Sequence, residues 1–136
     1  MKTPASVDPV LPDTSVWIDY FRGDEGVIVE LNALMEAGRV RVLPLILGEL
    51  LRGVSRDAET RVVRDLGVTF PVVPEPPEAW VRAGLMCGLL RSKGFHPGLA
   101  DAYIALCASE CGVTLWTHDR HFQQIRDRGG LRLILK

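Results

Sequence analysis

The sequence predicts a three-layer α/β/α sandwich with a mostly parallel central sheet of four to five strands. Short apolar, β-branched stretches alternate along the chain with longer stretches in which apolar residues recur at helical spacing. Strands that alternate with helices form parallel sheets whose two faces are covered by those helices. The 136 residues contain no internal repeat, low-complexity tract or linker, so we expect one domain spanning residues 1–136.

The first half of the chain is predicted to hold three strands and four helices. A strand over 7–13 is followed by a helix whose N-cap is expected at Thr14 or Ser15 and which ends at Gly23. Gly67 is expected to end the fourth helix, just before a β-branched strand. The other elements expected here are helices over 25–37, 45–55 and 57–66 and strands over 39–43 and 68–73.

The second half begins with a long helix over 78–93 and a loop over 94–98. The apolar residues of this helix that we expect to face inward are Trp80, Val81, Leu85, Leu89 and Leu90. An Ala-rich helix over 99–110 ends before Gly112. The last expected elements are a strand over 113–117, a short helix from residue 119 and a strand over 131–135.

Charge limits the ways in which this chain could meet nucleic acid. Its 17 acidic and 16 basic side chains nearly cancel, so no strong overall positive field attracts a polyanion. Any contact with RNA must therefore come from a local basic patch. Thirteen of the basic residues are Arg, whose planar guanidinium suits phosphate, although ordinary surface ion pairs use Arg equally.

Cysteine usage and hydropathy indicate a cytoplasmic protein. Cys87, Cys107 and Cys111 are odd in number and lie in apolar, helix-like surroundings, which is typical of reduced, buried thiols. The first residues lack the long apolar core of a signal peptide, and no apolar run is long enough to span a bilayer.

Two acidic residues directly follow predicted strands. Asp13 ends the first strand, and Asp119 comes just after the strand over 113–117. In open parallel sheets, functional groups gather beyond the carboxyl ends of the strands. We therefore expect both carboxylates at the same edge of the sheet.

Two further acids interrupt apolar helices. Glu49 lies within LILGELL at 45–51, and Asp101 lies within LADAYIAL at 99–106. A carboxylate on an apolar helix face is costly unless a cation or a hydrogen-bond donor compensates its charge. Several carboxylates together also repel one another, which raises their pKa values unless a divalent metal supplies positive charge.

The four acids Asp13, Glu49, Asp101 and Asp119 are therefore our candidate ligands for Mg²⁺ or Mn²⁺. These ions prefer carboxylate oxygens, and the lack of a cluster rich in His and Cys argues against zinc. Such a site can activate water and stabilise the departing oxygen in phosphodiester hydrolysis.

Each acid taken alone also has a structural interpretation. Asp13 and Asp119 could be helix N-caps, and Asp101 lies in a first helical turn, where the helix dipole favours an acid. Glu49 could be a solvated helix residue. The residues alone therefore lead to an acidic pocket and not to a particular reaction.

Four segments resemble, in order, the motifs of PIN-domain ribonucleases of the VapC toxin type. The first is LPDTSVWIDYFRG at 11–23, and the second is ELLRG at 49–53. The third is DAYIA at 101–105, and the fourth is LWTHDRHF at 115–122. The resemblance covers essentially the whole chain, and four motifs in the expected order are a specific signal.

The resemblance implies a toxin nuclease that cuts RNA with Mg²⁺ or Mn²⁺ and is inhibited by a cognate VapB-like antitoxin. The metal ligands and catalytic acids of the family correspond to Asp13, Glu49, Asp101 and Asp119. Its site hydroxyl corresponds to Thr117, which could orient a carboxylate or a metal-bound water. Thr14 and Ser15 fit the small polar pair of the family, and helix capping explains them equally well.

The resemblance also implies a homodimer, to which the aromatic helix over 16–21 could contribute. The expected antitoxin packs an apolar helix or strand against the wall of the catalytic groove and places a basic side chain near Asp13 and Asp101. A stand-alone PIN nuclease of RNA processing is the alternative within the same family.

Three other classes of protein fit the sequence less well. A phosphoacceptor receiver domain needs paired acids after the first strand and an Asp after the third, whereas here a single acid ends the first strand and residues 68–74 contain no Asp. A zinc module built from Cys107, Cys111, His118 and His121 would be divided by an apolar strand. A non-catalytic binding module does not explain why all four acids are present.

Several residues near the motifs have open roles. Asp19 lies about one helical turn from Ser15 and either faces the pocket rim or is a solvated helix acid. Candidates for phosphate contact, with surface ion pairs as an equal alternative, are Arg22, Arg52, Arg56 and Arg120. We assign no role to His96 in the loop before Asp101.

Overall fold

The computed structural model describes residues 8–136, so Val7, the expected start of the first strand, lies outside the described residues. The elements in chain order are β1 (Val10–Pro12), α1 (Thr14–Phe21), α2 (Glu25–Glu36), α3 (Pro44–Gly53), α4 (Asp57–Thr69), α5 (Ala79–Ser92), α6 (Leu99–Cys111), β2 (Thr114–Trp116) and α7 (His121–Gly129). Over residues 8–136, none of the helices has the length and apolar character needed to cross a membrane.

The central sheet is parallel, and its regular part is smaller than expected. β1 pairs with β2 in parallel, with Pro12 opposite Trp116 at their carboxyl ends. Three more extended segments add single parallel bridges, which join Val10 to Val40, Val42 to Val72 and Leu115 to Leu135. The five segments expected from the sequence are thus present in one layer, but only two form ladders long enough to be strands.

Prolines explain why the ladders are short. Pro44 begins α3 two residues after Val42, and Pro71 and Pro74 flank the segment over 72–73. A proline has no backbone N–H to donate, so it ends a ladder or stays at its edge. The segment over 72–73 therefore pairs with Val42 through only two bonds, from Val42 N to Pro71 O (3.0 Å) and from Val73 N to Val42 O (2.8 Å).

Two boundary predictions were wrong. The N-cap of α1 is Asp13, whose side chain accepts from Val16 N, rather than Thr14 or Ser15. Gly67 does not end α4, which continues to Thr69, so the start of the expected strand at 68–73 is helical. A Cβ at Gly67 would lie 2.9 Å from Leu47 Cδ1, so this glycine allows α4 to pack closely on α3.

The predicted inward face of α5 was also wrong. Of the five apolar residues expected inward only Leu90 is buried, together with the small residues Ala79 and Ala83. The exposed ones are Trp80 (44%), Val81 (59%), Leu85 (70%) and Leu89 (54%). α5 packs against α6, which is itself buried from Ala102 to Ala108 and rich in alanine. The small residues face inward because two helices approach closely only where their side chains are small.

The fold places the ends of β1 and β2 side by side. α1 packs on β1, α2 and α3, while α6 packs on β2, α5 and α7. Asp13 N donates to Trp116 O (2.9 Å), so the residues that follow the two strands leave the sheet as neighbours. The fully buried side chains that hold this arrangement include Leu11, Val16, Trp17, Leu115 and Phe122.

Candidate functional site

Asp13 is the only buried charged side chain among the described residues, at 4% exposure. Its Oδ1 accepts from Ser15 Oγ (2.5 Å) and Val16 N (3.2 Å), and its Oδ2 accepts from Thr117 Oγ1 (2.5 Å). Three donors on one carboxylate compensate much of the cost of burying its charge. Asp13 is therefore both the N-cap of α1 and a side chain held in one orientation.

Thr117 joins two of the predicted acids. Its hydroxyl donates to Asp13 Oδ2 and accepts from Asp119 N (2.9 Å), so it fixes the turn that follows β2. Asp119 Oδ1 then accepts from His121 N (2.9 Å). Asp119 thus accepts a backbone N–H at the start of α7, as a helix-capping side chain does. The N-cap position of α7 is nevertheless occupied by Arg120, whose side chain makes no capping hydrogen bond.

Glu49 comes to the same place from α3. Thr14, the first residue of α1, donates through Oγ1 to Glu49 Oε1 (2.9 Å). Thr14 directly follows Asp13 in the chain, so this bond brings Glu49 next to Asp13. The polar pair Thr14 and Ser15 thus orients two carboxylates, Glu49 through Thr14 and Asp13 through Ser15.

Asp101 completes the group from the first turn of α6. The pKa of Asp101 is raised from its usual 3.8 to about 6, mainly by partial burial and also by the negative charges of Asp119, Glu49 and Asp13. His121 acts in the opposite direction and lowers it. All four predicted acids are thus close enough to interact, and within residues 8–136 Asp101 has no hydrogen-bond donor from another side chain.

The four carboxylates do not converge closely enough to surround a single ion. Within residues 8–136, no three His, Cys, Asp or Glu side chains lie close enough to hold one ion directly. Both oxygens of Asp13 are turned toward the hydroxyls of Ser15 and Thr117. The donor set, four carboxylates with neighbouring hydroxyls, nevertheless fits Mg²⁺ or Mn²⁺, which keep several waters between themselves and protein ligands. The assignment of the four acids as metal ligands stays a prediction.

A groove opens beside Glu49. It has a volume of about 590 Å³ and runs between α1, α3 and α4, and its walls include Ile18, Phe21, Arg22 and Val62. Ile18, Phe21 and Val62 are exposed at 37%, 44% and 48%. The groove therefore joins an apolar wall to one carboxylate of the acidic cluster.

A sequence model of the PIN domain matches residues 10–128 of the chain. The chain belongs to the PIN-domain family. It is 33% identical over 128 residues to ribonuclease VapC32 of Mycobacterium tuberculosis, covering 91% of this chain and 95% of that one. It is 28% identical over 121 residues to ribonuclease VapC1 of Methanocaldococcus jannaschii, covering 88% and 83%.

Solved structures with a similar fold include two VapBC structures. A DNA-bound VapBC from Salmonella typhimurium matches with a TM-score of 0.74 at 21% identity, covering 94% of this PIN domain and 96% of the matched chain. VapBC2 from Rickettsia felis bound to a promoter DNA fragment matches with a TM-score of 0.72 at 19% identity, covering 93% and 96%. The α/β fold class and the resemblance to VapC proteins are thereby confirmed.

The zinc-module alternative is not supported by the surroundings of its cysteine and histidine residues. Burial raises the pKa of Cys107 to about 11, which is typical of an inert thiol rather than a zinc ligand. The two histidines of the proposed zinc set instead contact acids, His118 with Asp19 (2.6 Å) and His121 with Asp119 (3.1 Å).

The contact of His118 with Asp19 was missed by sequence reasoning. His118 Nδ1 lies 2.6 Å from Asp19 Oδ2, and His118 N donates to Ser15 Oγ (3.0 Å). Asp19 is thus paired with a histidine of the turn after β2, and its place at the pocket rim stays a prediction. The pair ties the turn after β2 to α1. No local sequence pattern predicts this contact, because its two residues lie 99 positions apart in the chain.

Proposed function

We propose that this protein is a metal-dependent endoribonuclease and the toxin of a type II toxin–antitoxin system. The observation that carries the proposal is the convergence of Asp13, Glu49, Asp101 and Asp119, whose charges interact at the carboxyl edge of the sheet. The similarity to two proteins named VapC ribonucleases supports RNA as the substrate. The alternative is a stand-alone PIN nuclease of RNA processing. The proposed domain is the whole chain, residues 1–136, acting in the cytoplasm.

Each residue of the cluster has a proposed task. Asp13, Glu49, Asp101 and Asp119 hold the divalent cation, directly or through its waters. When bound, Mg²⁺ or Mn²⁺ supplies Lewis acidity that activates water and stabilises the departing oxygen. Thr117 and Ser15 keep Asp13 in one orientation, and Thr14 does the same for Glu49. Hydrogen bonds of this kind to metal-ligating carboxylates tune both geometry and affinity.

The groove beside Glu49 supports an antitoxin partner. The two solved structures of similar fold are VapBC structures, which supports a VapB-like partner for this chain. The exposed side chains Ile18, Phe21 and Val62 offer an apolar wall for a helix or strand of that partner. A basic side chain of the antitoxin near Asp13 and Asp101 would then compete with the cation for the same negative charge.

A homodimer is the second proposed assembly. Trp17 in the aromatic helix α1 is 1% exposed, so this helix offers less apolar surface than its sequence indicates. α5 instead exposes Val81, Leu85 and Leu89, which recur every four residues along one side of the helix. Such a stripe is self-complementary and can pair with a second copy across a two-fold axis.

The test is RNA cleavage by the purified chain. We expect total cellular RNA to be cut at defined positions in Mg²⁺ or Mn²⁺ and to stay intact with a chelator. Asp101→Asn should lower the rate by at least about 100-fold, because the variant removes one charge from the cation site. Asp127→Asn, a change on the exposed face of α7, is the matched control and should cut like the parent. Metal-independent cleavage, or equal rates for parent and Asp101→Asn, would disprove the proposed mechanism.

A further inference from the structure

A second cavity lies on α5, away from the groove beside Glu49. It has a volume of about 250 Å³, and it is lined by Gly84, Cys87, Gly88 and Arg91 of α5 and by His96 and Pro97 of the loop that follows. The four α5 residues lie on one helix face, because they are spaced by three or four residues. The only charged groups that it can offer a ligand are the Arg91 guanidinium and, when protonated, the His96 ring. We call it the Arg91 pocket.

The stretch of chain that lines the Arg91 pocket carries charges of one sign. Residues 79–100 contain no Asp or Glu, while they include Arg82, Arg91, Lys93 and His96. Within residues 8–136, neither the Arg91 nor the His96 side chain forms a hydrogen bond or an ion pair, whereas Arg82 on the same helix pairs with Glu110. The positive charge at Arg91 is therefore available to an anionic ligand.

A third cation is held beside the same loop. Lys93 Nζ contacts Arg128 O (3.5 Å), and the Arg128 guanidinium lies 5.3 Å from the centre of the Phe95 ring. Phe95 directly precedes His96, so Arg128 is anchored next to the Arg91 pocket. A chain of phosphates crossing this loop would meet several cations in succession, as an RNA backbone requires.

The Arg91 pocket is joined to the acidic cluster through α6. The Cys87 thiol contacts Gly98 O (3.9 Å), and Gly98 is the N-cap of α6. Asp101 lies three residues later, in the first turn of that helix. One wall of the pocket and one acid of the cluster are thus carried by the same short stretch of backbone.

The shape of the pocket depends on two glycines inside a helix. Glycine destabilises a helix interior relative to alanine, and a Cβ at Gly84 or Gly88 would have no heavy atom within 4 Å. Packing inside this chain therefore does not require glycine at either position. Their effect is to keep the space beside Arg91 and His96 open.

We propose that the Arg91 pocket binds a backbone phosphate of single-stranded RNA, next to the phosphodiester that is cut at the acidic cluster. This inference rests on the proposed ribonuclease activity and adds the path of the substrate. The ligand class is a phosphodiester, since the Arg91 guanidinium and His96 offer N–H donors and no apolar wall large enough to stack a base.

The test compares the affinity for RNA of variants that cannot cut it. In an Asp101→Asn background with Mg²⁺, binding of a fluorescent single-stranded oligoribonucleotide is measured at several salt concentrations. Arg91→Gln should weaken binding roughly tenfold and lower the slope of log affinity against log salt by about 0.7, the value for one phosphate contact. Arg82→Gln, on the same helix and already paired with Glu110, is the matched control and should bind like the background.

A pocket-filling variant separates binding from folding. Gly88→Leu should raise the thermal midpoint, because leucine is a better helix former and its Cβ meets nothing, and should still weaken RNA binding. If the parent cuts RNA but Arg91→Gln and Gly88→Leu bind it like Arg82→Gln, the pocket proposal alone is overturned. If these two variants weaken only a protein partner, the pocket is a protein site and the proposal is also wrong. A parent that neither binds nor cuts RNA overturns both proposals.

Discussion

Asp13 and Asp101 belong to the same acidic cluster, but their negative charges are compensated to different degrees. Asp13 is 4% exposed, yet it accepts three hydrogen bonds from Ser15, Val16 and Thr117. Asp101 is less buried and has no such donors within residues 8–136, and partial burial together with the charges of the other three acids raises its pKa to about 6. The difference shows that burial alone does not decide how much a carboxylate needs a cation, because hydrogen-bond donors can substitute for part of it.

Hydrogen bonds thus hold the carboxylate of Asp13 in place at the end of β1, whereas Asp101 on α6 is repelled by the other acids. Asp13 leaves β1 among donors supplied by α1 and by the turn after β2, so its orientation is set without metal. Asp101, in the first turn of α6, is repelled by the other three acids, and the proposed divalent cation would relieve this repulsion. Three predictions follow from this contrast.

The largest of these three effects is expected from the Thr117 hydroxyl, which orients Asp13. Thr117→Val keeps the shape of the side chain but removes the donor to Asp13 and the acceptor for Asp119 N. Loss of such a partner typically costs about 10- to 100-fold in metal affinity or activity. The rate of RNA cleavage at saturating and limiting Mn²⁺ measures the loss. Thr114→Val on β2 is the matched control, and equal rates in both variants would show that Thr117 has no orienting role.

A second prediction concerns stability and differs in sign between the two acids. Asp13→Asn should destabilise the metal-free protein by about 1–3 kcal/mol, since an amide cannot accept from all three donors. Asp101→Asn should instead stabilise it by about 1 kcal/mol, because the change removes repulsion at a partly exposed site. Urea unfolding with a chelator at neutral pH gives both values. If both variants changed the free energy of unfolding in the same direction, the contrast between a hydrogen-bonded Asp13 and a repelled Asp101 would be wrong.

The smallest effect is a pH dependence of stability that belongs to Asp101. Its pKa is about 6 in the folded protein and near 3.8 when unfolded, so between these values the folded state binds more protons. Stability of the metal-free protein therefore falls as pH rises from about 4 to about 6, by about 1 kcal/mol after solvent screening is allowed for. Asp101→Asn should lose this slope. Unfolding midpoints across this range measure it, and an identical slope in the variant would assign the dependence to another group.

Local sequence patterns predicted which acids lie near one another better than they predicted which faces of the helices are buried. The acids at strand ends and the acids inside apolar helices could be recognised because their position is costly without compensation. The inward face of α5 could not, because Ala79 and Ala83 contact α6 while larger residues stay outside, and this choice depends on how closely two helices approach. Gly67 was misread for the same reason, since only the packing of α3 on α4 explains it.

Tertiary contacts also decided the details of the cluster. Thr117 could be expected near a carboxylate from the family resemblance, but its bond to Asp13 spans 104 residues of chain. His118 and Asp19 are likewise 99 residues apart, and no local pattern predicts that they meet. Sequence spacing identifies which residues lie at the edge of the sheet, whereas the hydrogen bonds among them follow from the parallel pairing of β1 with β2.

Direct binding of Mn²⁺ tests the central claim that the four acids form one cation site. Titration of the purified protein with Mn²⁺, followed by electron paramagnetic resonance of the free ion, should show saturable binding near neutral pH. Asp101→Asn should weaken this binding at least about tenfold, while Asp127→Asn, which changes an exposed acid paired with Arg126, should bind like the parent. Absence of saturable Mn²⁺ binding in the parent, or equal affinity in Asp101→Asn, would contradict the account.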